Sequence, residues 1–266
     1  MKNSAEKTRE YIRKRYADIA KKPVQVGGCC STSCCSCGAS SLDLHESSHT
    51  LGYKDSEVDS VPLHANMGLG CGNPLAQAQL KEGEVVLDLG SGGGFDCFLA
   101  RTQVGNTGKV IGVDMTPQMI QLSRDNAEKA GYENVEFRLG EIENLPVKDT
   151  SIDVIISNCV VNLSLDKKQV FSEAYRVLKQ GGRLVLSDIV ATAVLPKEVQ
   201  DDLDLLAGCI AGAEHYKTIE RWLKEANFTD IRLQPKDSSK QILDSWNPGS
   251  NLEDYVASYI IEAKKA

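Results

Sequence analysis

The sequence lacks any apolar run approaching the roughly 18 residues that a membrane helix requires. Its most apolar stretches, such as 152–156, are short, and that one carries Asp153. It also lacks an excess of positive charge. Thirty basic residues stand against 37 acidic ones, a net charge of −7, with a pI near 5.2. No basic stripe interrupts that balance. Binding along a nucleic-acid backbone, which draws on Lys and Arg neutralising phosphates, is therefore disfavoured. The first residues, Met1–Lys7, contain no apolar core of a signal peptide, so a cytoplasmic location is expected. No repeat of fixed period is present. What remains is an ordinary globular composition, 41% hydrophobic and 25% charged over 266 residues. That is enough for one large domain or a domain with an annex.

Cysteine is the residue present in quantity. There are nine: Cys29, Cys30, Cys34, Cys35, Cys37, Cys71, Cys97, Cys159 and Cys209. The number is odd and the first five crowd into nine positions, a poor disulfide framework. In a reducing compartment this usage points to soft-metal binding or thiol chemistry.

Periodicity divides the chain into three segments. Residues 1–75 hold a charged helix over 4–22, with Ile12, Tyr16 and Ile19 as its one packed stripe. A Gly/Ser/Cys loop follows over 24–41, then loops and a short helix over 42–75. Residues 76–190 alternate short apolar strands (85–89, 109–115, 135–139, 152–157, 183–190) with helices (95–104, 117–130, 168–179). Pro117 and Gly131 mark the start and stop of the second of these helices. Such alternation predicts an α/β fold on a parallel sheet. Residues 191–266 predict helices over 198–213 and 217–227 and late strands over 231–234 and 255–263. Trp222 and Leu223 fit a core-facing stripe, and Trp246, near Pro248-Gly249, reads as loop packing.

The first strand runs through Asp88 into Gly90-Ser91-Gly92-Gly93-Gly94 and then a helix. Glycines there allow positive φ and a close approach of backbone to ligand. Asp114 ends the second strand, a position where an acid commonly holds a ribose diol. The turn lacks the G-x-G-x-x-G spacing of dinucleotide sites, and Asp88 precedes it. A carboxylate is unwelcome beside a pyrophosphate but suits a ligand carrying ammonium and sulfonium charges, which points to S-adenosylmethionine. The segment resembles motif I of the class I S-adenosylmethionine-dependent methyltransferases. That resemblance implies a Rossmann-like, seven-stranded, mostly parallel sheet, with a Cys-rich N-terminal segment and a helical C-terminal annex here. It places Asp88, Gly90, Ser91 and Gly92 at the methionine end, Asp114 on the ribose and Met115 against the adenine. Glu141, Ile142 and Glu143 fall near the adenine amino group, and Asn158 follows the fourth strand among the substrate and methionine contacts.

Ligands bind at the carboxyl ends of strands in open α/β sheets. Cys159 lies just past the fourth strand, Cys71 in a Gly-rich loop before the core, and Cys209 beyond the fifth strand. Three thiols converging near one donor methyl would bind a soft trivalent centre. They lack the paired spacing of zinc sites. Arsenic(III) takes three sulfurs in a pyramid and keeps a nucleophilic lone pair. The alternative is three independent core cysteines. Cys97, beside Phe98 and Leu99, reads as packing. His45 and His49 share a helix face but lack a third ligand and read as surface residues, while Glu214 and His215 are candidates for a substrate mouth.

The segments 69–74, 88–98, 112–116, 157–163, 173–179 and 208–213 resemble the arsenite methyltransferases. The resemblance implies that Cys159 and Cys209 hold arsenite with Cys71 as the third ligand. It also implies that enzyme disulfides reduce oxidised methylarsenic and that thioredoxin or glutathione resets them. A fourth relay cysteine comes from the N-terminal segment, for which Gly27-Gly28-Cys29-Cys30 selects Cys30. Cys34, Cys35 and Cys37 are extra capturing thiols or a dispensable metal-scavenging tail. Two rivals are a quinone- or sterol-type carbon methyltransferase and a non-catalytic Cys-rich metalloid-binding protein. The first makes no demand on Cys71, Cys159 and Cys209, and the intact Asp88–Gly94 and Asp114 motifs oppose the second.

Overall fold

The computed structural model of the chain describes residues 2–21, 41–246 and 251–266. Cys29, Cys30, Cys34, Cys35 and Cys37 lie outside the described residues, and so does the expected loop over 24–41 except for its last residue.

Among the described residues seven strands form one sheet: β1 (Val85–Leu89), β2 (Lys109–Asp114), β3 (Val135–Leu139), β4 (Ile152–Asn158), β5 (Leu178–Ala191), β6 (Phe228–Pro235) and β7 (Val256–Lys265). Their order is β3-β2-β1-β4-β5-β7-β6. β3, β2, β1, β4 and β5 are parallel, and β7 runs antiparallel between β5 and β6. The strands expected over 231–234 and 255–263 thus close the sheet as neighbours. A helix that the sequence reading missed, α11 (Ser239–Trp246), lies between them. Trp246, expected in a loop, is the last residue of that helix. The register of β1 is fixed on both sides, Asp88 facing Gly112 of β2 and Ile156 of β4.

Both faces of the sheet are apolar. Val86, Val110 and Val154 belong to one buried cluster, and Leu87, Ile111 and Ile155 to the other. Each fully buried aliphatic side chain of this kind contributes about 1.5–3 kcal/mol. This two-sided burial explains why the strands read as continuous apolar runs. The helices on the faces are α4 (Leu75–Ala78), α5 (Phe95–Val104), α6 (Pro117–Ala130), α7 (Lys167–Val177) and α10 (Tyr216–Glu225). Leu223 of α10 is fully buried and Trp222 partly buried.

Two stretches differ from the sequence reading. The region over 42–75 is more helical than expected, with α2 (Ser41–Leu51) and α3 (Asp55–Asp59). The buried stripe of α2 is Leu44, Ser48 and Leu51. Its middle member is polar and accepts from Asn66 Nδ2 at 2.9 Å, which broke the apolar pattern. The single helix expected over 198–213 is two short ones, α8 (Lys197–Gln200) and α9 (Leu203–Ala207). Asp202 interrupts them because its carboxylate accepts from the backbone N–H groups of Asp204 and Leu205 and caps the second helix. No helix among the described residues is long and apolar enough to cross a membrane.

The N-terminal helix α1 (Lys2–Ala20) carries the expected packed stripe and is tied down through polar side chains as well. Ile12 is completely buried, Arg13 donates to Glu141 at 2.6 Å, and Tyr11 and Arg15 both bond the Asp204 carboxylate. The helix lies across the carboxyl ends of the strands.

Candidate functional site

The strand order reverses direction between β1 and β4, and a crevice opens beyond their carboxyl ends. It holds a cavity of about 480 Å³, within the range of small-molecule sites. All ten residues expected to hold the cofactor line it. Asp88, Gly90, Ser91 and Gly92 come from β1 and its turn, and Asp114 and Met115 from the end of β2. Glu141, Ile142 and Glu143 follow β3, and Asn158 ends β4. Arg9, Arg15, Tyr16 and Ile19 of α1 line the outer wall.

The turn after β1 is built for close approach. Gly90 has φ +73°, and a β-carbon there would collide with Val160. The buried Ser91 hydroxyl is the side-chain polar atom left without a hydrogen-bond partner among the described residues. An orphan of this kind in a binding cavity marks a place where a ligand supplies the missing partner. Asp114 accepts from the N–H groups of Gly92 and Thr116 (3.0 and 2.8 Å), which aims its carboxylate at the turn. Thr116 precedes α6 without a side-chain cap bond, and its own N–H goes to Asp114.

Three carboxylates among the described residues face this end of the cavity, Asp88 and Asp96 buried and Asp114 half-buried. Burial raises the proton affinity of all three, that of Asp96 to about 6. Asp88 is pushed up by burial and by the charge of Asp96, and the Cys97 thiol donates to it at 3.3 Å. Cys97 is therefore packed, as expected, and also serves as a carboxylate partner. A cationic ligand removes the cost of these charges, so the donor set fits the ammonium and sulfonium of S-adenosylmethionine. Asp96, from the first turn of α5, was missed by the sequence reading. An acid two residues past the glycine turn is its only signal.

Three cysteines are neighbours at the other end. Cys71 and Cys159, 88 positions apart, are joined as a disulfide with Cα atoms 5.7 Å apart. Cys209 donates its Sγ proton to the Cys159 carbonyl at 2.6 Å. All three are buried, and Cys159 and Cys209 line the cavity while Cys71 lies behind it. Burial pushes the Cys209 thiol well up, and the charges of Lys167 and Arg15 oppose this. A carboxylate also belongs to this end. An Asp188 oxygen and the sulfurs of Cys71 and Cys159 lie within 4.8 Å of one another. Burial raises Asp188 to about 7 although Ile189, Val161 and Asn162 all donate to it. Its position inside β5, among apolar neighbours, gave no functional signal.

One side chain joins the two ends. Asn158 Oδ1 accepts from the Cys71 N–H at 2.9 Å. Its amide nitrogen reaches the Gly72 carbonyl (2.7 Å), the Tyr53 hydroxyl (3.0 Å) and Asp96 Oδ2 (3.3 Å). Asn158 lines the cavity, yet its protein bonds hold the Cys71 loop.

Other expectations fall away from the site. Glu214 and His215 do not line the cavity. The Glu214 carbonyl accepts from Ala191 N–H, and His215 caps α10 through its Nδ1. His45 pairs with Asp59 and Asp55 at 3.3 and 3.8 Å on an exposed surface.

Residues 80–227 match a family model described as a methyltransferase domain. The chain is 48% identical to the arsenite methyltransferase of Halobacterium salinarum over 98% of its own length and 67% of that protein. It is 39% identical to the human arsenite methyltransferase over 62% of its length, spanning 46% of the human chain. It therefore spans about two thirds of the first relative and about half of the second. Its fold is similar to the crystal structure of an arsenic(III) S-adenosylmethionine methyltransferase from Chlamydomonas reinhardtii. The TM-score is 0.61 at 34% identity, over 82% of this chain and 72% of that one.

Proposed function

The chain belongs to the arsenite methyltransferase family, and from that premise we propose that it transfers methyl groups from S-adenosylmethionine to trivalent arsenic held by its own thiols. The observation that carries this reading is that Cys159 and Cys209 line the same cavity as the acids Asp88, Asp96 and Asp114, with Cys71 bonded to Cys159 behind it. S-adenosylmethionine supplies an electrophilic methyl group on a sulfonium. Asp88 and Asp96 would hold its ammonium end, Asp114 its ribose diol, and the Ser91 hydroxyl gains a partner.

Reduction of the Cys71–Cys159 disulfide by two electrons from a thiol reductant frees the pair. Arsenite, As(OH)3, then exchanges its three hydroxyls for three cysteine sulfurs, each thiol proton leaving with a hydroxyl as water. The arsenic keeps its lone pair, so the protein's task is to aim that pair at the methyl carbon, and no general base is needed. Methyl transfer oxidises the arsenic by two electrons. Forming the Cys71–Cys159 disulfide returns those electrons and restores trivalent arsenic. The disulfide seen in the structure is consistent with the state such a cycle leaves behind.

The relay extends, on this reading, to Cys30 from the N-terminal segment, with thioredoxin or glutathione as reductant, in a cytoplasmic detoxification role. Residues 1–75 then capture the substrate, 76–190 hold the cofactor and 191–266 close the arsenic site. The test is incubation of the reduced protein with arsenite, S-adenosylmethionine and glutathione, followed by arsenic speciation. Methylated arsenic is expected. Its absence returns the chain to the carbon-methyltransferase reading, in which the cysteines have no part.

A further inference from the structure

We propose that Asn158 is a positioning residue that couples occupancy of the cofactor end of the cavity to the placement of the Cys71 loop. The proposal rests on the functional reading above in taking Cys71 as a working thiol and in seating the cofactor's ammonium at Asp96.

Cys71 is fully buried and does not line the cavity, so a ligand there does not cover it directly. The loop reaches the cavity through the Asn158 amide. Backbone of the loop sits directly on that amide, since a β-carbon on Gly70 would lie 2.9 Å from its nitrogen. The amide oxygen fixes the Cys71 N–H, and the amide nitrogen fixes the Gly72 carbonyl. Two consecutive loop residues are thus held by one side chain.

The lever is a mismatch in hydrogen-bond capacity. The amide has two protons and three acceptors within reach: Gly72 O at 2.7 Å, Tyr53 Oη at 3.0 Å and Asp96 Oδ2 at 3.3 Å. Tyr53 gives its own proton to Asp96 Oδ1 at 2.6 Å, which leaves the phenol oxygen to accept. Asp96 lines the cavity beside Asp88. When a ligand ammonium engages Asp96 Oδ2, the longest of the three contacts is withdrawn. The two protons then go one each to Gly72 and Tyr53, and the oxygen stays on Cys71. Filling the cofactor end therefore fixes the amide and, through it, the loop. By linkage the settled loop raises affinity for the cofactor by the same factor.

The test needs no arsenic. Reduced full-length protein is labelled with iodoacetamide, with and without saturating S-adenosylhomocysteine. The labelling rate of the Cys71 peptide is followed by mass spectrometry. In the wild type the ligand is expected to slow Cys71 labelling by about fivefold or more, at the lower end of typical couplings. In Asn158→Ala and Tyr53→Phe the ratio of rates falls towards one. A loop that is merely looser raises both rates and leaves their ratio unchanged, so the ratio separates coupling from structural support. Tyr53→Phe removes a single hydroxyl and keeps the test sound should Asn158→Ala fold poorly; calorimetry sets saturation for each variant. A wild-type ratio of one, or a wild-type ratio retained in both variants, overturns the proposal. Failure of the arsenic reading shows separately, as an absence of methylated arsenic.

Discussion

Cys209 gives its thiol proton to the backbone carbonyl of Cys159, fifty positions earlier in the chain. Both residues have left-handed backbones, with φ of +64° and +56°. Cys209 follows α9 at the position where helices usually place glycine. Its N–H reaches the Leu206 carbonyl and that of Ile210 reaches Leu205, the pairing of a Schellman end. A side chain held in this region costs about 1–2 kcal/mol, a strain kept where surrounding structure and function require it.

Strain at Cys209 distinguishes two substitutions that remove the same sulfur. Cys209→Gly is expected to melt higher than Cys209→Ala by about 2–4 °C, the equivalent of about 1 kcal/mol in a chain of this size. Thermal denaturation of the reduced proteins measures it. An alanine variant as stable as the glycine variant would show that the left-handed backbone carries no cost here.

Removal of either cavity-lining thiol should separate binding from chemistry. Cys159→Ala and Cys209→Ala are expected to lose arsenite methylation by at least about a hundredfold, the scale set by loss of a group that positions the reacting atom. Both should still bind S-adenosylhomocysteine with nearly wild-type Kd, measured calorimetrically. Turnover within a few-fold of wild type in both variants would remove the cysteines from the mechanism.

Asp96 predicts a pH dependence of stability. Its folded-state pKa, raised to about 6 by burial, lies above the roughly 3.9 of an unfolded aspartate. Between these values the folded protein binds more protons than the unfolded one, so this contribution is fully present below about pH 4 and lost as pH rises through 6. The Tm of the ligand-free protein should therefore contain a component that falls between pH 4.5 and 7. Asp96→Asn should flatten that slope whatever it does to the absolute Tm. An identical slope in the variant contradicts the assignment.

The helix α1 closes the outer wall of the cavity, so loosening it should cost cofactor. Ile12 is completely buried beneath it, and burying an unpaired charge at such a site is strongly unfavourable. Ile12→Glu is expected to raise the off-rate of S-adenosylhomocysteine by about tenfold or more, the equivalent of about 1.4 kcal/mol. Stopped-flow fluorescence reads the rate. Circular dichroism checks that the sheet is intact. An unchanged off-rate would return α1 to a peripheral role.

The parallel strands and the cofactor turn were legible in the sequence because burial on both faces and a glycine turn beside Asp88 leave local signals. That Cys159 and Cys209 share one edge was legible from strand order, since each follows a parallel strand there, whereas Cys71, in a loop before β1, carried no such signal. Asp96 and Asp188 were not, because an acid in a helix turn or inside a strand has no local mark of what it faces. The role of α1 was hidden for a related reason. Its covering contacts are a tyrosine hydroxyl and arginine side chains, which a hydrophobic pattern does not reveal. The single helix expected over 198–213 failed at Asp202, whose carboxylate starts a new helix where propensity alone continued the old one.

The most direct measurement is the number of sulfurs on bound arsenic. Arsenic K-edge absorption would be recorded on reduced protein carrying one equivalent of arsenite, with Cys29, Cys30, Cys34, Cys35 and Cys37 replaced by serine so that the N-terminal thiols contribute nothing. Three sulfur ligands are expected, falling to two sulfurs and one oxygen when Cys209→Ala is added. Two or fewer sulfurs before that last substitution, or three after it, would contradict a site built from Cys71, Cys159 and Cys209.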